Sequence, residues 1–153
     1  MSAEQRLREL GIDLPQVPRP RWAYVPCVRS GNLVFVSGQI ASDGRGVLHP
    51  GKVGRDVTVE QAWAAARGAA IAALAIVRQE VGSLDGVARV VKSTVYVASA
   101  EGFTDQPAVA NGASDFLREV LGEAGLGARA AVGVYELPLG ASVEAEFIFE
   151  VAT

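Results

Sequence analysis

The sequence predicts an α+β fold: a single β-sheet with two helices packed on one face, in the order β-β-α-β-α-β-β. Three observations lead there. Two long segments, Val59 to Val81 and Val109 to Leu121, repeat apolar residues at helical spacing. Around them lie β-branched or alternating runs, the longest being VARVVKSTVYVAS from Val87 to Ser99. Breaks bearing glycine or proline separate these segments, and a sheet with helices on one side is the simplest layered packing for that order. The length agrees, because 153 residues fit one domain, 1–153, able to bury an ordinary core.

Taken in order, residues 3–10 read as a short helix with Leu7 and Leu10 on one face, ended by Gly11. LPQVPRP, residues 14–20, is an extended lead-in whose prolines fix φ. Residues 1–22 form an N-terminal extension. Trp22 to Val28 reads as the first strand, and Ser30-Gly31-Asn32 signals a hairpin into the second, Leu33 to Ile40. That second strand turns polar at Ser37-Gly38-Gln39, where a glycine marks either a bulge or the close approach of backbone or ligand. Residues 41–56 are loop-like, with four glycines and Pro50. Asp56 or Thr58 caps the next helix, with Glu60 and Gln61 in its first turn and Gly82 at its end. Its alanine-heavy face suits close packing on a sheet.

Ser83 to Gly86 is a turn, and Val87 to Ser99 is a central strand. A second helix starts near Thr104 or Asp105, with Pro107 in its first turn, and stops at Gly122 and Gly125. Asn111 lies within it, mildly unfavourable there. The stretch ARAAVGVYELPLGASVEAE, Ala128 to Glu146, reads as two strands joined at Leu137-Pro138-Leu139-Gly140. The first opens with Arg129, and its neighbour carries Glu144 and Glu146. Alternation along the last strand sets Val143, Ala145, Phe147, Phe149 and Val151 against Glu144, Glu146, Ile148 and Glu150. With both helices on one face, the other face is bare. Its apolar residues, Val91 and Val134 among them, mark an oligomer interface.

Composition excludes several classes. Half the residues are apolar and a fifth are charged, which argues against disorder. The net charge of −3 offers no footprint for nucleic acid. Cys27 has no second cysteine to pair with, and with His49 it makes a poor zinc set. No apolar run reaches the roughly 18–20 residues of a membrane span. MSAEQRLREL lacks the apolar core of a signal peptide, so a cytoplasmic location is expected. Nucleophile-elbow, phosphate-loop and HExxH motifs are absent. His49 is the only histidine and sits in a loop, so Ser37 has no evident base. A lone loop histidine is more often a surface residue than a catalytic one.

What is left is a set of polar residues at the ends of core elements: Tyr24, Ser37, Asn111, Arg129 and Glu144. Each alone is more often structural than functional. Together, the blocks YVPCVRSGNLVFVSGQI, VKSTVYVAS, QPAVANGASDFL and ARAAVGVYELPLGASVEAE resemble successive signatures of the RidA/YjgF family, from about Tyr24 onward. The resemblance implies a fold similar to that of the small chorismate mutases, assembled as a homotrimer with ligand clefts between subunits. It implies cofactor-free, metal-free hydrolysis of enamines and imines such as 2-aminoacrylate, a 2-iminobutanoate/2-iminopropanoate deaminase type of activity yielding 2-oxo acids and ammonia. Carried over by position, Arg129 would hold the substrate carboxylate and Glu144 would handle water, with Tyr24, Ser37 and Asn111 lining the pocket. The alternative is a non-catalytic trimer that binds or senses small carboxylate metabolites. Nuclease action is disfavoured by the acidic chain.

This chain also departs from the family pattern. Trp22-Ala23 stands where Gly-Pro usually precedes the tyrosine, and Ala131 replaces the cysteine often found two residues after the arginine. Tyr135 is bulkier than usual. With the loop from Gly44 to Asp56, these features imply a divergent branch.

Overall fold

A computed structural model describes residues 1–153. Five strands form one mixed sheet: β1 (Cys27–Ser30), β2 (Leu33–Gln39), β3 (Val87–Ala98), β4 (Ala128–Val134) and β5 (Val143–Val151). Three helices accompany them: α1 (Ala3–Glu9), α2 (Val59–Val81) and α3 (Gln106–Leu121). The strand order is β1-β2-β5-β3-β4, so β5 is central and β1 and β4 are edges. All pairs are antiparallel except β3–β4. The expected α+β architecture holds, with α2 and α3 on one face and α2 reaching β2 and β5 while α3 reaches β3 and β4.

Local chemistry explains most boundaries. Thr58 caps α2 through a reciprocal pair with Gln61, and Gly82 ends the helix at φ 88°. Small side chains bring α2 close, since Ala62, Ala65, Ala66, Ala69, Ala70 and Ala73 are all buried against the sheet and α3. Phe116, Phe147 and Phe149 fill the space that the alanines leave. The α2–α3 contact is tightest at Gly112, where a Cβ would stand 2.0 Å from the Trp63 carbonyl oxygen. The N-terminal helix is tied to this body. Leu7 is buried in the core, Glu4 Oε1 accepts from the Leu84 N–H at 2.9 Å, and Arg6 donates to the Val120 carbonyl at 3.3 Å.

Three expectations are corrected. The first strand begins at Cys27, not Trp22, because Pro26 has no N–H for a ladder and Tyr24 N–H instead closes a tight turn onto the Trp22 carbonyl at 2.8 Å. The last two strands are not neighbours. β4 runs parallel to β3 on its outer side, the usual result of a β-α-β crossover, and β5 pairs with the inner side of β3. The connection through Pro138, with Leu139 at φ 62°, therefore passes over the end of β3 instead of closing a hairpin. The bare face is also differently populated. Val91 falls in a register shift and Val134 is half-buried, whereas Val28, Phe35 and Val132 are 54%, 41% and 42% exposed.

Candidate functional site

Arg129 is the second residue of the edge strand β4, level with the buried Ser93 of β3. Its side chain therefore turns to the helical side of the sheet. There Nη1 donates to Asn111 Oδ1 at 2.8 Å and to Ser114 Oγ at 3.2 Å. Both acceptors come from α3, three residues apart and so on one helix face. No carboxylate lies within ion-pair distance of Arg129. A positioned guanidinium without a counter-ion suits an anionic ligand.

Glu144 lies on the central strand β5, level with Tyr96 and on the bare face. Gly38 makes room for it: a Cβ at Gly38 would sit 2.8 Å from Glu144 Oε1. The glycine belongs to a bulge between Val36 and Gln39, one of the two readings of the Ser-Gly-Gln sequence, and what lies close to it is the Glu144 side chain, not backbone. Burial, and then the negative charge of Glu146, raise the Glu144 carboxyl above its ordinary range. Ser37 serves the backbone here. Its Oγ donates to the Val25 carbonyl at 2.6 Å and its N–H to the Pro26 carbonyl at 2.9 Å. These two bonds hold the segment carrying Tyr24, a residue 53% exposed, beside the bulge.

The five residues thus fall into two groups. Asn111 and Arg129 meet on the helical side, while Tyr24, Ser37 and Glu144 belong to the bulge side. Two strand spacings of about 4.8 Å and three residues of about 3.3 Å along the strand separate the Cα atoms of Arg129 and Glu144 by roughly 14 Å. Their side chains also face opposite ways, so one chain does not join them in a single pocket.

Sequence reasoning missed Ser114 and Tyr96 as members of these groups, and named Glu146 beside Glu144 without giving it a role. Tyr96 Oη donates to Glu146 Oε1 at 2.7 Å, and that bond is the main reason its hydroxyl titrates above the usual range. The polar parity of β3 is readable, since Lys92, Thr94 and Tyr96 alternate, but their partners depend on register. Cys27 is held as a thiol: burial, then the nearby Glu80 carboxylate at 3.8 Å, push it up. His49 makes no side-chain hydrogen bond to any of the five, and no three His, Cys, Asp or Glu side chains cluster as a cation would need. No helix is long and apolar enough to cross a membrane.

Residues 4–150 match the family described as "YjgF/chorismate mutase-like, putative endoribonuclease". A Trypanosoma cruzi protein called Protein TCP17 is 44% identical over 145 residues, covering 94% of this chain and 91% of its own. The crystal structure of Atu1372 from Agrobacterium tumefaciens, described as of unknown function, is 44% identical with a TM-score of 0.90, over 99% of this chain and 92% of its own. A Shewanella oneidensis protein named as a "putative endoribonuclease" is 28% identical with a TM-score of 0.94, over 99% and 100%.

Proposed function

The chain belongs to the YjgF/chorismate mutase-like family, the RidA/YjgF group its signatures resemble, and from that premise we propose that it hydrolyses 2-imino acids to 2-oxo acids and ammonia. What carries the reading is the pairing in one chain of a held guanidinium lacking a carboxylate partner and a half-buried glutamate with a raised pKa. Arg129 binds the substrate carboxylate through two parallel N–H bonds. A protonated imine is already electrophilic at C2, so the protein has to position it and direct a water more than supply a nucleophile. Glu144 as carboxylate accepts a proton from that water as its oxygen bonds to C2. Return of the proton to nitrogen in the tetrahedral adduct makes an ammonium leaving group. As the C–N bond breaks, the Glu144 carboxylate takes the proton of the adduct's hydroxyl, so ammonia leaves, the 2-oxo acid remains, and the last proton passes to ammonia or solvent. A carboxylate whose pKa is raised towards working pH is the better base for this step. No added cofactor takes part in this balance.

The reading needs a second copy, because Arg129 and Glu144 face apart within one chain. The exposed Val28, Phe35 and Val132 on the bare face support assembly, the resemblance implies a homotrimer, and on this reading its clefts join Arg129 of one copy to Glu144 of another. Nuclease action has little support from a chain of net charge −3, which has no excess of cations for phosphates.

The test couples the purified protein to an amino-acid oxidase or lyase that releases imino acids, and follows imine decay. Wild type accelerates decay, and Arg129→Ala reduces kcat/KM by about 100-fold or more, as expected for losing a bidentate charged contact. No acceleration over buffer, or equal rates for the two proteins, overturns the deaminase. Saturable 2-oxo acid binding without turnover would replace it with a metabolite-binding role.

A further inference from the structure

We infer that Ser114, together with Asn111, fixes Arg129 so that only the Nε–Nη2 edge of its guanidinium meets the substrate carboxylate; this rests on the proposed reading of Arg129. Nη1 carries two N–H groups, and two acceptors stand within reach of it, Asn111 Oδ1 at 2.8 Å and Ser114 Oγ at 3.2 Å. Neither Nε nor Nη2 has a partner in the chain. A carboxylate prefers two parallel N–H bonds from one edge of the fork. The end-on edge needs a hydrogen of Nη1, and α3 already engages both. The side-on edge, Nε–H with Nη2–H, is left free.

The same logic orients Asn111. A guanidinium only donates, so the amide must turn its oxygen to Arg129, which leaves the two Nδ2 hydrogens for the ligand. The platform is closely packed. Gly112 sits between the two acceptors in sequence, and its lack of a side chain lets α3 lie against the Trp63 carbonyl of α2. Ser114 therefore acts through Arg129 as a positioning residue. Without it, Nη1 keeps one tether and the guanidinium can swing between edges.

Ser114→Ala and Ser114→Thr in the full chain test this, with imine-decay kinetics, pyruvate binding by calorimetry, and ¹⁵N NMR of the Arg129 guanidinium. Ser114→Ala should raise KM and the pyruvate Kd about tenfold, the weight of one charge-assisted hydrogen bond, with kcat within about twofold. Separate Nη1 and Nη2 signals in wild type should merge in Ser114→Ala and return in Ser114→Thr along with KM. If pyruvate binding depends on Arg129 yet Ser114→Ala matches wild type, the inference falls and the deaminase stands. A raised KM with unchanged Nη signals and no rescue by threonine also overturns it, as a general structural effect. If Arg129→Ala binds pyruvate as wild type does, both readings fall.

Discussion

The two sides of the sheet prepare their candidate groups by different physical means. On the helical side, Arg129 is always charged, so nothing is gained by tuning its protonation. The fold instead controls its direction, through two hydrogen bonds that it donates to a helix that a glycine lets sit against its neighbour. On the bare side, Glu144 has no hydrogen-bond partner to fix it, and the fold controls its charge instead, through burial and the adjacent Glu146. Geometry serves the permanent ion and environment serves the titratable one.

The largest test of that contrast is Glu144→Gln. Removing a general base should lower kcat by about 100-fold or more while KM changes little, whereas Arg129→Ala should act on both. Steady-state imine decay with both variants separates the two sides, and equal patterns would break the distinction.

Next comes the platform. Gly112→Ala drives a methyl into the Trp63 carbonyl and should cost about 2–3 kcal/mol, read as a lowered urea midpoint. In protein that remains folded, pyruvate affinity should fall as well, because α3 carries both tethers of Arg129. The Glu144 pH profile should stay where it was.

The third prediction concerns charge. Activity should be lost as pH falls through the raised pKa of Glu144, since the base becomes protonated there. Glu146→Gln removes the second cause of that elevation, so the acid limb of the kcat profile should move to lower pH. Linkage gives the matching sign for stability. The folded state holds this proton more tightly than the unfolded chain does. Stability therefore declines as pH rises from the ordinary carboxylate range through the raised value, and Glu144→Gln should flatten that decline in urea titrations.

The smallest effect is a control away from both sides. Thr58→Ala removes the cap of α2 and should cost about 1 kcal/mol of stability without altering KM or the pH profile.

Much of this was readable along the chain. Helix α2 declares itself by its spacing, its Thr58–Gln61 cap and its Gly82 stop, all within a few residues of the atoms concerned. The alternation in β5 correctly separates Phe147 from Glu144, because side chains in a strand change face at every step. The Ser37-Gly38-Gln39 break announces the bulge, and the resemblance names Arg129, Asn111 and Glu144 as candidates from among many polar residues. The first strand was misread from Trp22 because apolar side chains there mimic a strand, while the missing N–H of Pro26 and the turn at Tyr24 decide otherwise.

The sequence by itself determined which segments are helix or strand and which side of each is apolar, since those depend on periods and caps spanning a few residues. Only the tertiary structure decided that β3 lies between β4 and β5, that Arg129 and Glu144 therefore face apart, and that Ser114 and Tyr96 join them. Strand order and register are set by pairings between residues 36 to 64 positions apart in β3, β4 and β5, and the one-letter pattern of a strand is the same whichever neighbour it finds.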